Sequence, residues 1–268
     1  MRSILILIVL IASAPMWADE VRLDGQIVQG GLIFGHAPGA ARVTLNAEPV
    51  MLSGDGHFVF GFDRDATTAS TLIVEFNNGQ RWSRSLMPAD RDFNIERIDG
   101  LNQNHVTPPP EVYQRIREDA ALTRRARERR DERTDWLTGW IWPARGRISG
   151  VYGSQRILNG EPRNPHWGLD IAAPTGTSVV APAPGVVTLA ENDMYFSGGT
   201  LFIDHGHGLV SAFLHLDQVL VDVGQTVAQG DEIGHVGATG RATGPHLDWR
   251  INIEGTRVDP QLLLDPQS

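Results

Sequence analysis

The feature of the sequence that most constrains the fold is a charged segment, residues 111–133, that contains neither glycine nor proline. It is dense in Arg, Asp and Glu and poor in apolar residues, a pattern that predicts a solvated helix held by salt bridges. Prolines at positions 108–110 precede it and provide a stiff helix start. Because the stretches on either side are rich in short apolar runs, we expect two β-rich parts joined by a charged helical linker over residues 101–143.

Residues 19–100 carry the alternating apolar pattern of short strands. The alternation has a period of two residues and is clearest at 42–46, 57–62 and 71–76. Turn signals separate these runs, and strands of this length and spacing predict a small β-sandwich. We find no catalytic cluster in this half, in which His36 and His57 are isolated. We therefore interpret it as a binding or spacing module.

Residues 144–268 are dense in glycine, valine and tight turns, and they show no long amphipathic helix. Apolar runs at 185–189, 200–204 and 209–215 predict strands, and residues 223–234 have a β-turn-β pattern. This pattern predicts an all-β domain with a groove on one face of an antiparallel sheet. The fold class expected for the whole chain is therefore mainly β.

Composition excludes several classes of function. The formal net charge of −9 gives no reason to expect a nucleic acid partner. All 23 basic residues are arginine, so a Schiff-base lysine is excluded, as is the lipoyl or biotinyl carrier that the turn pattern after Gly224 resembles. There is no cysteine, so any metal must be bound by His, Asp or Glu.

The first 18 residues have the pattern of a secretory signal peptide. Arg2 supplies the positive start, and an apolar run over residues 4–11 is too short to span a membrane comfortably. Pro15 disfavours cleavage after Ala14, so we expect cleavage after Ala18. An uncleaved membrane anchor is the alternative. No cysteine follows the run, which excludes a lipoprotein. We expect a periplasmic or secreted protein without stable membrane insertion after cleavage.

Three short stretches in the C-terminal half hold the candidate site residues. His166 and Asp170 are four residues apart around a glycine, and His246 and Asp248 alternate on a predicted strand, which places both on one face. His215 ends a third apolar run. A catalytic zinc site needs three protein ligands and an open water position, and histidine can move protons near neutral pH. Three ligands and two further histidines would complete such a site.

At these motifs, residues 144–260 resemble the lysostaphin/LytM-type zinc endopeptidases of metallopeptidase family 23, which cut peptidoglycan peptides. The family motifs are H-x(3)-D, an aromatic-x-H-L strand and G-P-H-x-H. Their counterparts here begin at His166, Phe213 and Gly244, and the framing residues at 173–177 and 237–240 also match. The resemblance is confined to the C-terminal half.

The resemblance implies a role for each motif residue. His166, Asp170 and Asp248 would bind Zn²⁺, and His215 and His246 would be the catalytic histidines. Asp248 departs from the family, in which most members have histidine at this position. The implied function is hydrolysis of peptide cross-links in peptidoglycan. The alternative is a weakly catalytic or non-catalytic LytM-like regulator that binds the cell wall or activates another wall hydrolase.

Other polar residues are weaker candidates. His205 and His207 have the spacing of a zinc pair, but they lie in a glycine-rich turn for which turn polarity is the simpler interpretation. Arg156, Asn159 and Asn164 precede His166 and are candidates to bind substrate carboxylates. The basic run at 124–130 could contact an anionic polymer, although a solvated helix face is the preferred interpretation.

Overall fold

The computed structural model describes residues 21–265 and is built mainly from antiparallel strands, which confirms the predicted fold class. The signal peptide predicted at residues 1–18 lies outside the described residues. Within residues 21–265, no helix is long and apolar enough to cross a membrane.

The N-terminal strands form a small sandwich, as predicted. One sheet has the strand order β1-β2-β5 and the other β4-β3-β6-β7. Ile33 and Phe58 of the first sheet pack with Val43 and Leu72 of the second, because alternate residues of each strand face inward. The strands of this half are β1 (Arg22–Asp24), β2 (Leu32–His36), β3 (Ala40–Leu45), β4 (Glu48–Val50), β5 (His57–Gly61), β6 (Ser70–Phe76), β7 (Arg81–Leu86) and β8 (Ile95–Ile98).

The linker contains two α-helices, α1 (Gln103–Val106) and α2 (Tyr113–Ala126), and 3₁₀ turns at Pro110–Val112 and Asp135–Thr138. Helix α2 ends at Ala126, earlier than the charged pattern suggests. The following residues leave the helix because they bind the turn at residues 204–208. The Asp131 carbonyl accepts from the backbone N–H of His207 at 3.0 Å, and the guanidinium of Arg133 pairs with Asp204.

The C-terminal half is built mainly around one antiparallel sheet, and its core includes Leu169, Leu201, Phe213 and Trp249. The strands of this half are β9 (Arg147–Gly150), β10 (Gln155–Leu158), β11 (Glu161–Pro162), β12 (Leu169–Ala172), β13 (Ser178–Val180), β14 (Gly185–Met194), β15 (Gly198–Asp204), β16 (Leu209–Val219), β17 (Thr226–Val227), β18 (Glu232–Val236), β19 (His246–Ile253) and β20 (Thr256–Val258), and a 3₁₀ turn follows at Pro260–Leu263. The central strand order of the main sheet is β17-β14-β15-β16-β19-β12-β9, whereas β10 and β11 form a three-stranded sheet with β8.

The two β-rich parts share packing across the predicted boundaries. Leu32 and Val59 of the sandwich and Trp136 of the linker belong to the same apolar cluster as the C-terminal core. Strand β8 pairs in parallel with β10, and Arg91 forms an ion pair with Asp259 at 2.7 Å. Strand β8 thereby becomes part of the wall of the candidate site.

A candidate metal centre

The centre of the candidate site is a pair of carboxylates that face each other across two strands. Asp170 of β12 lies directly opposite Asp248 of β19 in the antiparallel register. Both side chains are buried. Like charges at directly opposed positions destabilise a sheet, and burial raises this cost. The arrangement therefore requires positive charge between and around the two carboxylates.

The imidazole of His166 lies against both carboxylates. Its Nε2 atom is 3.1 Å from Oδ1 of Asp170 and 3.5 Å from Oδ1 of Asp248. Nδ1 of His166 is 3.2 Å from the carbonyl oxygen of Val151, which can only accept, so the hydrogen sits on Nδ1. Nε2 of His166 and Oδ1 of Asp170 are buried without a hydrogen-bond partner among the described residues. These two atoms have the character of unused metal ligands.

The three side chains fit a tetrahedral metal ion. One ligand atom from each of His166, Asp170 and Asp248 lies within 4.8 Å of the others, and no other group of three such residues exists within 21–265. Ligand atoms at about 2.1 Å from a tetrahedral zinc ion are separated by about 3.4 Å. The distances of His166 to the two carboxylates match this spacing. Asp248 therefore fits the position at which most of the family has histidine.

Two arginines bind the two carboxylates, Arg156 at the outer oxygen of Asp170 and Arg250 at both oxygens of Asp248. Arg156 donates to Oδ2 of Asp170, and Arg250 donates Nε to Oδ1 of Asp248 at 3.0 Å and its terminal nitrogen to Oδ2. Burial raises the pKa of Asp248, but Arg250 and His166 outweigh it and hold that pKa well below its usual range. Burial lowers the pKa of His166, but the two carboxylates raise it above its ordinary value.

His215 and His246 lie beside this cluster as a pair. Their ring centroids are 4.8 Å apart, and Nε2 of His246 is 3.9 Å from Oδ1 of Asp170. Nδ1 of His215 donates to the carbonyl of Thr239 and Nδ1 of His246 to that of Gly244, each at 2.8 Å. Both Nε2 atoms are thus left free to accept a proton. Burial and the neighbouring His246 lower the pKa of His215 to about 4, so His215 is neutral near pH 7.

The backbone at His215 explains how a strand residue reaches the site. His215 has φ of +65°, a left-handed conformation that is rare for a residue other than glycine. The pairing of β16 with β18 shifts register just after it. This local kink turns the imidazole toward the metal cluster, and strain of this kind is typical of functional positions.

The cluster opens into a groove with a volume of about 430 Å³. One wall is strand β8, of which Glu96 lies 3.5 Å from Nε of Arg156. The opposite wall is the segment 241–246, which ends at His246. The groove is open to solvent. The N-terminal half therefore supplies part of the groove, although it has no resemblance to the motifs.

Gly168 leaves the space that Asp248 occupies. A methyl group at this position would lie 2.3 Å from Oδ1 of Asp248 and 2.6 Å from Cγ of Arg250. We expect Gly168→Ala to displace the Asp248 carboxylate, to weaken metal binding and to destabilise the fold by about 1–3 kcal/mol. Isothermal titration with zinc and urea unfolding measure the two effects.

Gly54→Ala is the matched control, because Gly54 lies in an exposed turn with no atom within 4 Å of the added methyl group. Metal affinity in Gly168→Ala equal to that of the Gly54→Ala control would contradict the role of Gly168.

The pair His205 and His207 does not form a second metal site within the described residues. Nδ1 of His205 is 2.6 Å from the Pro184 carbonyl, and Nε2 is 2.8 Å from Oγ of Ser211, so a neutral ring satisfies both nitrogens. His207 packs edge-on against Trp136. Both rings are buried beneath the linker, so they stabilise the turn that the linker binds.

Burial of His205 predicts a pH dependence of stability. Burial lowers the pKa of His205 from 6.5 to about 4. Between these two pH values the unfolded chain binds more protons at this residue than the folded chain does. The contribution of His205 to the free energy of unfolding is therefore fully present above pH 6.5 and is lost as the pH falls toward 4. Relative to His205→Gln, the wild type should lose about 3 kcal/mol across this range. Urea unfolding of both proteins at several pH values measures the loss.

Asp204 contributes to the pH dependence of stability in the same range but with the opposite sign. Burial raises the pKa of Asp204 to about 6, despite the guanidinium of Arg133, so its contribution to stability increases as pH falls. Comparison of wild type with variant cancels this contribution, since both proteins retain Asp204. A constant difference in free energy of unfolding from pH 7 to 4 would contradict the assignment to His205.

Sequence reasoning missed several residues of the site. Arg250 is two positions after Asp248 on the same strand, so the alternation of side chains could have placed both on one face. Arg156, a candidate to bind substrate carboxylates, lines the groove and also pairs with Glu96 and Asp170. Asn159 donates to the Leu101 carbonyl and fixes the linker. Strand β8 carries no motif, and only its pairing with β10 brings it to the groove.

The fold and the site are those of a metallopeptidase-like β domain that follows an N-terminal sandwich. Comparison with known proteins identifies the family of this β domain. Residues 164–260 match the family model of Peptidase family M23, which identifies this segment as a LytM-type peptidase domain of that family. A solved M23-class structure from Pseudomonas aeruginosa is 29% identical, with a TM-score of 0.66 over 89% of this chain and 95% of that one. This likeness extends beyond the peptidase segment into the N-terminal half.

Two curated relatives illustrate the range of the family. The peptidoglycan DD-endopeptidase ShyA of Vibrio cholerae is 30% identical over 229 residues, which are 81% of this chain and 53% of the relative. The cell division protein DipM of Caulobacter vibrioides is 33% identical over 161 residues, which are 60% of this chain and 25% of that protein. The chain therefore spans about half the length of ShyA and a smaller part of DipM.

Proposed function

We propose that the protein is an exported zinc-dependent endopeptidase that hydrolyses peptide cross-links of bacterial peptidoglycan. The observation that carries this proposal is the group of three ligand atoms from the buried side chains of His166, Asp170 and Asp248, which lies beside the paired imidazoles of His215 and His246 in an open groove. The family supports peptide hydrolysis. The name of ShyA supports peptidoglycan as the substrate. A substrate outside the cytoplasm fits the signal peptide predicted at residues 1–18.

The residues of the chain divide the chemical work between them. His166, Asp170 and Asp248 would hold zinc, which when bound supplies a Lewis acid for the scissile carbonyl and lowers the pKa of a water. His215 and His246 present free Nε2 atoms on the same side of the groove. One of these imidazoles accepts the proton of the attacking water. Once protonated, it donates this proton to the leaving amine. Thr239 and Gly244 hold the two rings in the required orientation.

The test is incubation of the zinc-loaded chain with purified sacculi, followed by mass analysis of the released fragments. We expect muropeptides that differ from the cross-linked starting material by one water per cleaved peptide bond, and no release after addition of a chelator. The fragments also identify which bond is cut. Released glycan fragments with intact peptide cross-links would contradict endopeptidase activity, as would the absence of fragments from a fully loaded protein.

One observation favours a second candidate, a regulator that binds peptidoglycan without cutting it. Both proposed ligand carboxylates are already paired with arginines, and Arg250 contacts both oxygens of Asp248. Such pairing competes with metal binding. A regulator would bind sacculi in a pull-down assay while releasing no fragments, and its zinc content would be far below one ion per chain.

A further inference from the structure

A second cavity lies beside the proposed metal site and is lined by positive charge. Its volume is about 290 Å³, and it shares His215, Arg156 and Arg241 with the peptide groove. Thr123 of α2 and Phe202 of β15 lie on its walls, and no aspartate or glutamate lines it. The arginines that line this arginine pocket are Arg127, Arg156, Arg241, Arg250 and Arg257.

Three of these arginines have no acidic partner. Arg156 and Arg250 are paired with Asp170 and Asp248. Within residues 21–265, Arg127, Arg241 and Arg257 form no ion pair. Nε of Arg127 is also buried without a hydrogen-bond partner in this part of the chain. The two carboxylates of the proposed metal site are thus already paired with arginines. A bound divalent cation would only increase the excess of positive charge around the cavity.

Packing alone does not explain the cluster. The guanidinium groups of Arg127, Arg241 and Arg257 lie over the rings of Phe202, Phe196 and Trp167 at 4.6–4.8 Å. Stacking of this kind stabilises one arginine on one ring and does not require several arginines around one cavity. Burial, followed by the neighbouring arginines, lowers the pKa of Arg127 and of Arg241 to about 10. Their proximity therefore costs free energy that a bound anion would offset.

Stacked guanidinium groups remain suited to bind oxygen anions. The ring covers one face of the group, while the N–H donors point outward in its plane. A carboxylate can accept two such bonds from one arginine. The hydroxyl groups of Ser197 and Thr200 also line the cavity. Because the pocket joins the peptide groove at His215, its ligand must be next to the peptide bond that is cut.

We propose that the arginine pocket binds a carboxylate group of the peptide substrate and thereby selects acidic peptides. This inference rests on the proposed endopeptidase function. Free phosphate shares the same oxyanion chemistry, but the continuity with the groove favours a group attached to the peptide. Arg127 and Arg257 are the pocket arginines suited to a test, since neither lines the peptide groove.

The test compares two synthetic cross-linked peptides that differ only in whether their free carboxylates are amidated. The zinc-loaded wild type should cut the acidic peptide with kcat/KM about 10- to 100-fold higher, the scale expected for one or two charged hydrogen bonds. Arg127→Gln and Arg257→Gln should lower this preference, mainly through KM, while their activity on the amidated peptide stays unchanged. Arg127→Lys should restore part of the preference. Arg42→Gln, an exposed arginine of β3, is the matched control.

The outcomes separate this inference from the proposed function. Equal cleavage of both peptides by the wild type would overturn the carboxylate site and leave the endopeptidase intact. If neither peptide is cut, calorimetric titration of the full chain with glutarate tests the pocket alone. Binding of glutarate that is lost in Arg127→Gln and kept in Arg42→Gln supports it. Absence of binding, or binding of inorganic phosphate but not glutarate, overturns it. If Arg127→Gln does not fold, Arg257→Gln carries the comparison.

Discussion

Replacing a proposed metal ligand and replacing a proposed catalytic histidine are expected to give different losses. Asp170→Ala and His166→Ala should remove bound zinc and activity together. His215→Ala and His246→Ala should keep one zinc per chain and lower kcat about 100-fold or more, the usual effect of losing a group that transfers protons or stabilises an oxyanion. The reason is geometric: Nε2 of His166 faces both carboxylates at 3.1 and 3.5 Å, whereas His215 and His246 lie outside this group of three ligand residues.

Elemental analysis of the purified variants and turnover of sacculi measure the two properties separately. His235→Ala is the matched control, because this half-buried imidazole bonds to Gln218 at 3.0 Å and lies outside the groove. A His215→Ala protein that is free of zinc would move His215 into the ligand set. A His166→Ala protein that retains full zinc and activity would place the metal elsewhere.

Much of the fold follows from local patterns in the sequence. The apolar runs at residues 57–62 and 209–215 correspond to strands β5 and β16, in which most of these residues are buried. The alternation after Gly244 likewise predicts that His246 and Asp248 share a face, and both side chains lie near Asp170. In these elements the spacing of residues along one strand determines which side chains share a face.

What the sequence could not provide depends on contacts between distant segments. The parallel pairing of β8 with β10 and the packing of α2 against the C-terminal sheet have no local signature. The arginines around the metal site come from the linker and from several loops and strands, so no spacing rule collects them. The left-handed backbone of His215 is equally invisible, because the surrounding sheet and the loop that carries Thr239 impose it.

Asp248 is the position at which the chain departs from its family, and the structure suggests how the change is accommodated. An aspartate adds a negative charge beside Asp170, which would make the site a weaker Lewis acid and raise the pKa of a zinc-bound water. Arg250 donates to both oxygens of Asp248 and withdraws part of that charge. Arg156 does the same for Asp170. The two arginines therefore allow two carboxylates to serve together with one imidazole.

Substitution of Asp248 gives the sharpest separation of the endopeptidase from the regulator. Asp248→Ala should release zinc and reduce hydrolysis of sacculi to background, because it removes one of three proposed ligands and leaves the half-buried Arg250 without its partner. Asp248→Asn keeps the size of the side chain but loses the charge, and it should weaken zinc affinity by about 10- to 100-fold, corresponding to about 1.5–3 kcal/mol for a charged interaction. Asp248→His should retain zinc, since imidazole nitrogen and carboxylate oxygen bind zinc at similar distances. Elemental analysis and competition with a chromogenic chelator measure these affinities.

Full zinc occupancy in Asp248→Ala would show that the third ligand is another group. Unchanged binding of sacculi by an inactive, zinc-free wild type would favour the regulator.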